Sequence, residues 1–387
     1  MFLYSLDILR FFIFSQKKNY RMKIAVLGTR GIPNNYGGFE QCAENLSVGL
    51  VKKGHEVTVY NPSFHPFKKE FYKKVRIIRI FSPQHLIGRS ASNFVYDYLC
   101  FKDATKKDFD IILELGLITS SISIVFCRHK GKKVVTNLDG LEWKRSKWSY
   151  LIQLITKQLE RFGVKFSNHL IADNIGIQKY LMYQYNRKAK FITYGTSMMK
   201  IPNQIFLTDY GLEKNNYLLS IARLEPENNL EMMFDAYIES NLNIPYVVVG
   251  NHLTSYGDFL KDKYRKNNIT FLGGIFDKEV LDNFRYYCRY YLHGHSVGGT
   301  NPSLLEAMAA SSFILAHNNQ FNKHVVENGA YYFSNKEELS LLFSNNNLLD
   351  NKESNIKTNL KKIKISCSWI TMINQYESYF EDILVIP

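Results

Sequence analysis

A chain of 387 residues with 45% hydrophobic content can fill two cores of ordinary domain size. Its five cysteines, Cys42, Cys100, Cys127, Cys288 and Cys367, are odd in number, scattered and without a C-x-x-C pair, which argues against a disulfide framework or a zinc site and fits a reducing cytoplasm. The net charge of +14 is lopsided: residues 1–200 hold 33 Lys/Arg against 14 Asp/Glu and the rest holds 16 against 21, so a basic half suited to an anionic partner (phosphorylated lipid, membrane surface or nucleic acid) precedes a mildly acidic one.

The first 21 residues, MFLYSLDILRFFIFSQKKNYR, are apolar but broken by Asp7 and Arg10. Their uninterrupted runs fall well short of the roughly 20 residues of a spanning helix, and they lack the small-residue cleavage site of a secretory signal. Two readings stand: a short interfacial helix ending in Lys17-Lys18, or a leader outside the folded unit, with translation starting at Met22. Strand candidates follow at KIAVLG (23–28), HEVTVY (55–60), VRIIRIF (75–81), DIILEL (110–115), KVVTNL (133–138) and HLIADN (169–174), interleaved with helical stretches such as FEQCAENLSVGLVKKG (39–54). Short apolar strands alternating with helices predict a parallel, doubly wound sheet of Rossmann type over 22–200.

The periodicity breaks near 196–215 and restarts at YLLSIARL (217–224), a helix over 229–240, PYVVVGN (245–251), ITFLGG (269–274), YYLHGH (290–295) and SFILAHN (312–318). A second Rossmann-like domain is therefore expected over 206–365, followed by an amphipathic helix within 366–387. The Asn-rich tracts NKHVVENG and FSNNNLLDNKESN read as loops. No repeat of solenoid period is present. Two such domains in tandem enclose a cleft between two sets of strand C-terminal ends, where α/β proteins bind ligands.

Four segments carry chemistry. GTRGIPNNYGGFEQ (28–41) sits between a strand and a helix; Gly37-Gly38 at the helix start lets a diphosphate approach backbone amides, or else serves a tight turn. The spacing is not the dinucleotide fingerprint G-x-G-x-x-G, and the second strand ends Val59-Tyr60-Asn61 without a ribose-binding acid, so a nicotinamide enzyme is not expected. Arg223, in ARLEPENN, closes a strand and suits bidentate binding of a diphosphate. In GGTNPSLLEAMAAS (298–311) the turn frees amides and Glu306 lies one turn into the helix, where a carboxylate suits a ribose diol or complements the dipole. His293 and His295 share one strand face just before that turn, and either contact a sugar or pack.

Two further segments are weaker. Asp108-Phe109-Asp110 matches the D-x-D of metal-dependent sugar transfer but precedes a strand instead of ending one, so it reads as a surface turn. In GLEWKRSKW (140–148), Trp143 and Trp148 alternate with Lys144, Arg145 and Lys147, a mixture that suits lipid-diphosphate headgroups. Nucleic acid uses the same residue types, but the basic residues are spread over many loops, so no nucleic-acid partner is expected.

With these motifs in this order, residues 22–385 resemble the GT-B glycosyltransferases of family 4, and within them the bacterial rhamnosyltransferases that build capsule and O-antigen polysaccharides. The resemblance implies two facing Rossmann-like domains, acceptor-binding first and nucleotide-sugar-binding second, with a last helix crossing back to the first. It puts Arg223 on the donor diphosphate and Glu306, the second acid of an E-x7-E motif, on the ribose. The donor set then comprises Gly37, Gly38, Arg223, Asn228, His295, Gly298, Gly299, Thr300, Asn301, Ser303 and Glu306. Asp139 stands where many relatives carry a catalytic-site His.

Departures are equally specific. The first acid of E-x7-E falls on Gly298 and the Lys usually beside the Arg falls on Asn228, a pattern that fits a 6-deoxy donor such as dTDP-rhamnose. The expectation is transfer of rhamnose, with retention and without cofactor or metal, to an undecaprenyl-diphosphate-linked acceptor by a cytoplasmic protein on the inner face of the bacterial cell membrane. A non-catalytic polyanion- or glycan-binding protein of the same fold, or a nucleotide-sugar epimerase, stays open as an alternative.

Overall fold

The computed structural model describes residues 21–35, 37–127, 132–138, 140–145, 148–345 and 347–385. Its first half holds β1 (Lys23–Leu27), β2 (Glu56–Pro62), β3 (Phe71–Tyr72), β4 (Val75–Ile80), β5 (Ile111–Leu115), β6 (Lys133–Leu138), β7 (His169–Ala172) and β8 (Lys190–Phe191). They form one sheet in the order β3-β4-β2-β1-β5-β6-β7-β8, parallel except for the β3–β4 pair. Val26 of β1 lies between Val59 and Leu113 in register. Ile24, Ala25, Val26 and Leu27 are all fully buried, because helices cover both faces of a parallel sheet and leave no polar side to alternate with.

The second half repeats the plan with β9 (Leu218–Ile221), β10 (Tyr246–Val249), β11 (Ile269–Gly273), β12 (Tyr290–His293), β13 (Ile314–His317) and β14 (Ala330–Phe333). This sheet has the order β11-β10-β9-β12-β13-β14 and every pair in it is parallel. The fold is thus α/β of GT-B type: two Rossmann-like units in tandem.

The last helix, Trp369–Val385, buries Met372, Tyr376, Phe380 and Ile383 at helical spacing and packs on the first half's Gly38–Lys52 helix. A Cβ at Gly49 would lie 2.3 Å from Ile373 Cδ1, so the absence of a side chain sets how closely these helices approach. Glu377 fastens the contact, accepting from Lys53 Nζ at 2.7 Å and lying 3.0 Å from His55 Nε2.

The asparagine-rich tracts differ from expectation. Residues 320–326 are helical, as are 336–344 and 352–366, with single 3-10 turns at Glu327–Gly329 and Leu348–Asn351. Asparagine here works as a cap: Asn319 Oδ1 accepts from the amides of Phe321 and Asn322, and Asn335 Oδ1 from that of Glu338. Asn359, inside a helix, is buried and donates to the Gly329 carbonyl at 2.8 Å.

Candidate active site

In each sheet the chain leaves its first strand in opposite directions on the two sides: β1 lies between β2 and β5, and β9 between β10 and β12. The crevice at such a reversal, at the strands' C-terminal ends, is where doubly wound sheets receive ligands. Three of the sequence motifs fall there. GTRGIPNNYGGFEQ follows β1, ARLEPENN follows β9, and GGTNPS follows β12.

The turn after β1 needs glycine for a steric reason. Gly28 has φ +77, and a Cβ there would meet the Leu115 carbonyl at 2.3 Å; Gly31 has φ +93 against the Asn61 side chain. Asn61 takes the place of a ribose-binding acid at the end of β2 and instead holds the turn, accepting from the Ile32 amide at 3.1 Å and donating to the Ile32 carbonyl at 2.8 Å.

On the opposite side, Arg223 stands two residues beyond β9 and is exposed. Asn228 braces its backbone, with Nδ2 donating to the Arg223 carbonyl at 2.6 Å and Oδ1 lying 2.9 Å from His295 Nδ1. Burial, with Arg145 and Arg223 nearby, lowers the His295 pKa to about 4, so the ring is neutral and offers one donor and one acceptor nitrogen. His293 is pushed down to about 3 by burial, and its Nε2 is buried without a hydrogen-bond partner.

The glycine turn leads from here into the Pro302–Ala309 helix. Gly298 adopts φ +130, a left-handed conformation disfavoured for a residue with a side chain; Gly298 and Gly299 are both buried. Asn301 caps the helix, accepting from the Ser303 amide at 2.9 Å. Ser303 Oγ donates to the Ile221 carbonyl at 3.1 Å and lies 2.7 Å from the Tyr291 hydroxyl, which ties the helix start to β9 and β12.

The two halves meet across this site. A Cβ on Gly38 would stand 2.9 Å from Pro302 Cγ, and one on Gly140 would stand 3.0 Å from Gly298 Cα. Thr300 donates through its amide to Asp173 Oδ2 at 3.2 Å and through its hydroxyl to the Asp173 carbonyl at 2.7 Å. Glu306 is engaged at both oxygens, by Arg285 Nη2 at 2.5 Å and by Gln41 Nε2 of the first half at 3.1 Å. Arg145 Nη1 points into the gap, 3.6 Å from Glu225 and 3.5 Å from Glu227. These contacts bring the two halves together across the gap.

Expected site residues therefore divide by place. Gly37, Gly38, Arg223, Asn228, His295, Gly298, Gly299, Thr300, Asn301, Ser303 and Glu306 gather at the facing strand ends. Arg145, expected on acceptor phosphates, lies instead among Glu142, Glu225 and Glu227. Its neighbours in the aromatic loop are held inward: Trp143 Nε1 donates to the Tyr180 hydroxyl at 3.3 Å and Trp148 Nε1 to Glu142 at 3.2 Å, while Lys144 is exposed. The expectations for Asp139, Lys147 and residues 1–20 lie outside the described residues.

Sequence reasoning missed Arg285, Gln41, Asp173 and Glu227. Arg285 is fully buried in a tyrosine-rich helix that carries no motif. Glu227 sat inside a motif but was passed over; its carboxylate is buried with both oxygens lacking hydrogen bonds, and burial with Glu225 beside it pushes its pKa up. Among the described residues no group of three or more His, Cys, Asp or Glu is placed to hold a metal ion. Asp108 of the D-x-D is exposed and pairs with Lys23 Nζ at 2.6 Å. No described helix is long and apolar enough to cross a membrane.

Comparison with known proteins adds to this geometry. Residues 21–197 match a domain of unknown function, DUF1972, and residues 207–362 match Glycosyl transferases group 1. No curated protein matches the chain. Among solved structures, sucrose-phosphate synthase from Thermosynechococcus elongatus is similar with a TM-score of 0.80 at 15% identity, over 95% of this chain and 100% of that one. HepE from Anabaena, in complex with UDP and glucose, gives 0.73 at 16% identity over 94% and 100%. The catalytic domain of starch synthase IV from Arabidopsis thaliana, bound to ADP and acarbose, gives 0.72 at 12% identity over 94% and 100%. The chain thus has the GT-B fold, and its second half carries a glycosyl transferases group 1 domain.

Proposed function

We propose that this chain is a glycosyltransferase of the bacterial rhamnosyltransferase type. It moves L-rhamnose from dTDP-rhamnose to an undecaprenyl-diphosphate-linked oligosaccharide in O-antigen or capsule synthesis, at the inner face of the cell membrane, with retention. The observation that carries the reading is the placement of Arg223 just beyond the end of β9, at the reversal point of a group 1 domain. The bond between C1 and the diphosphate oxygen breaks as negative charge builds on the diphosphate. Arg223 and the amides of residues 298–301 stabilise that charge without a metal. Arg145, reaching in from the other half, adds a second cation.

Glu306 takes the ribose hydroxyls, exchanging its Gln41 contact for them while Arg285 holds the carboxylate in place. His295, neutral and braced by Asn228, offers hydrogen bonds to the sugar where Gly298 supplies no acid; a 6-deoxy sugar has one hydroxyl fewer to satisfy. The acceptor oxygen then bonds to C1, and Asp139 orients its hydroxyl and receives the proton.

The test is release of dTDP from dTDP-rhamnose by purified protein, alongside thermal stabilisation by a panel of nucleotide sugars. A ligand at a hundred times its Kd adds about 2.7 kcal/mol to the native state. A binding protein of the same fold would release no dTDP, and an epimerase would yield a new nucleotide sugar without acceptor. Either result sinks the reading.

A further inference from the structure

The helix Tyr150–Phe166 is amphipathic the wrong way round for a surface helix of a water-soluble domain. Its buried residues are Thr156, Glu160, Gly163 and Val164, three of them small or polar. Glu160 is fully buried and bonded to the hydroxyls of Tyr180 and Tyr185. Gly163 is seated on Leu117, whose Cδ1 would lie 2.3 Å from a Cβ there. The outward face carries Leu151 at 65% exposure, Leu154 at 43%, Ile155 at 51% and Phe162 at 51%, a stripe at helical spacing that is left open among the described residues. Contiguous apolar surface of this kind marks a site of contact.

Charge identifies the occupant. The helix has one acid, the buried Glu160, while its cations Lys157, Arg161 and Lys165 all lie outside the core, in the half that holds the chain's positive excess. A second copy of this chain would bring the same cations against these, which disfavours self-association. We propose that this face lies in the headgroup region of an anionic bilayer, with Leu151, Leu154, Ile155 and Phe162 at the acyl boundary and Arg161 and Lys165 on lipid phosphates.

Its position suits the reaction, and to that extent the inference rests on the lipid-linked acceptor proposed above. The first turn of the helix is bonded to the site, since Gln153 Nε2 donates to the Arg145 carbonyl at 3.1 Å and the Arg145 guanidinium lies in the gap. A bilayer on this face brings the diphosphate of a lipid-linked acceptor to the mouth of the gap. The docking element is therefore this helix, and not the aromatic loop 140–148, whose tryptophans are bonded inward.

The experiment is sedimentation of the full chain with vesicles of phosphatidylglycerol and phosphatidylcholine mixed, and of phosphatidylcholine alone, without nucleotide sugar. Binding is expected to mixed vesicles and to fall about tenfold or more without the anionic lipid. The triple variant Leu151→Ser/Ile155→Ser/Phe162→Ser should lose about a hundredfold in partitioning. Leu253→Ser, at a site 78% exposed in the second half, should lose none. Arg161→Glu/Lys165→Glu, which leaves the apolar stripe in place, should also weaken binding. Absence of vesicle binding, unchanged binding by both multiple variants, or a wild-type dimer that the triple variant dissociates would each overturn the proposal. Because no donor is present, these outcomes leave the transfer reading untouched, while vesicle binding without dTDP release would remove that reading and spare the surface.

Discussion

The facing strand ends of the two sheets are built alike but hide opposite chemistry. Around β1 and β5 the buried titratable groups are carboxyls: Glu40, Asp97 and Glu114 are each at most 4% exposed. Burial raises all three, Asp97 to about 7. Around β12 the imidazoles of His293 and His295 are driven down to about 3 and 4, beside the buried acids Glu227 and Asp282. Burial thus pushes these acids of the first half and these histidines of the second in opposite directions, each toward its neutral form. The charged groups left facing one another are Arg223, Arg145 and the carboxylates Glu225 and Glu227, so an entering diphosphate would meet two cations with acids close by.

The strongest way to break this contrast is to remove its fixed cation. Arg223→Ala should lower transfer by about a thousandfold, with the melting temperature unchanged because the side chain is exposed and makes no hydrogen bond or ion pair among the described residues. Arg223→Lys should recover only part, since an ammonium does not grip a diphosphate bidentately. A near-normal rate for Arg223→Ala, measured as dTDP release, would end the assignment.

Next in size is the buried pair beneath the site. Arg285→Met should cost about 3 kcal/mol, because it leaves Glu306 partly buried with only Gln41 for company. Arg285→Met/Glu306→Gln should regain much of that loss. Calorimetry checks both. If Arg285→Met melts like the wild type, Glu306 is not held as described here.

The fold and the gathering of several candidate residues at the facing strand ends were readable from the sequence, and physical reasons mark where legibility stopped. Continuous apolar runs such as Ile24–Leu27 announce a parallel sheet, and glycines at 28 and 31 mark a turn whose φ values exclude other residues. Arg223, Asn228 and Ser303 were legible because their work is local, within a few residues of a strand end. Arg285, Asp173 and Gln41 were not, since their roles arise from contacts 21, 127 and 265 residues away, and no short window holds both partners. Arg145 was misplaced for a related reason. A cation between two tryptophans suggests a membrane until the opposite half supplies two carboxylates, Glu225 and Glu227, beside the loop's own Glu142. Asparagine misled in another way, since composition cannot tell a cap such as Asn319 from a loop.

A smaller effect should come from wedging the halves apart without touching a charge. Gly38 faces Pro302 so closely that Gly38→Val must displace the two glycine-rich helix starts from each other. Misplacement on the scale of an ångström is expected to lower transfer by about tenfold, while each half keeps its own fold. Steady-state rates together with a melting curve check this. A rate within twofold of wild type would mean that catalysis does not need the halves in this closed arrangement.

The subtlest expected effect is a pair of opposed pH responses. Asp97 has a folded pKa raised from 3.8 to about 7, so its contribution to stability is complete below pH 4 and is lost as pH rises to 7; Glu114, raised well above its ordinary value, acts in the same sense. His293 has a folded pKa lowered from 6.5 to about 3, so its contribution is complete above pH 6.5 and is lost as pH falls toward 3. Each such group contributes a slope of at most about 1.4 kcal/mol per pH unit, and between pH 4 and 6.5 the two slopes have opposite sign. Whole-chain melting should therefore vary little in that window, although the halves do not. Hydrogen exchange corrected for its intrinsic pH dependence separates them: from pH 6.5 to 4.5, amides of β5 should gain protection and those of β12 should lose it. Asp282 and Glu227, both pushed up, blunt the second response without reversing it at β12. Asp97→Asn should reduce the β5 response, leaving the part due to Glu114, and should not change the β12 response. If both strands instead move together, the buried acids and histidines do not hold the protonation states that separate the two halves.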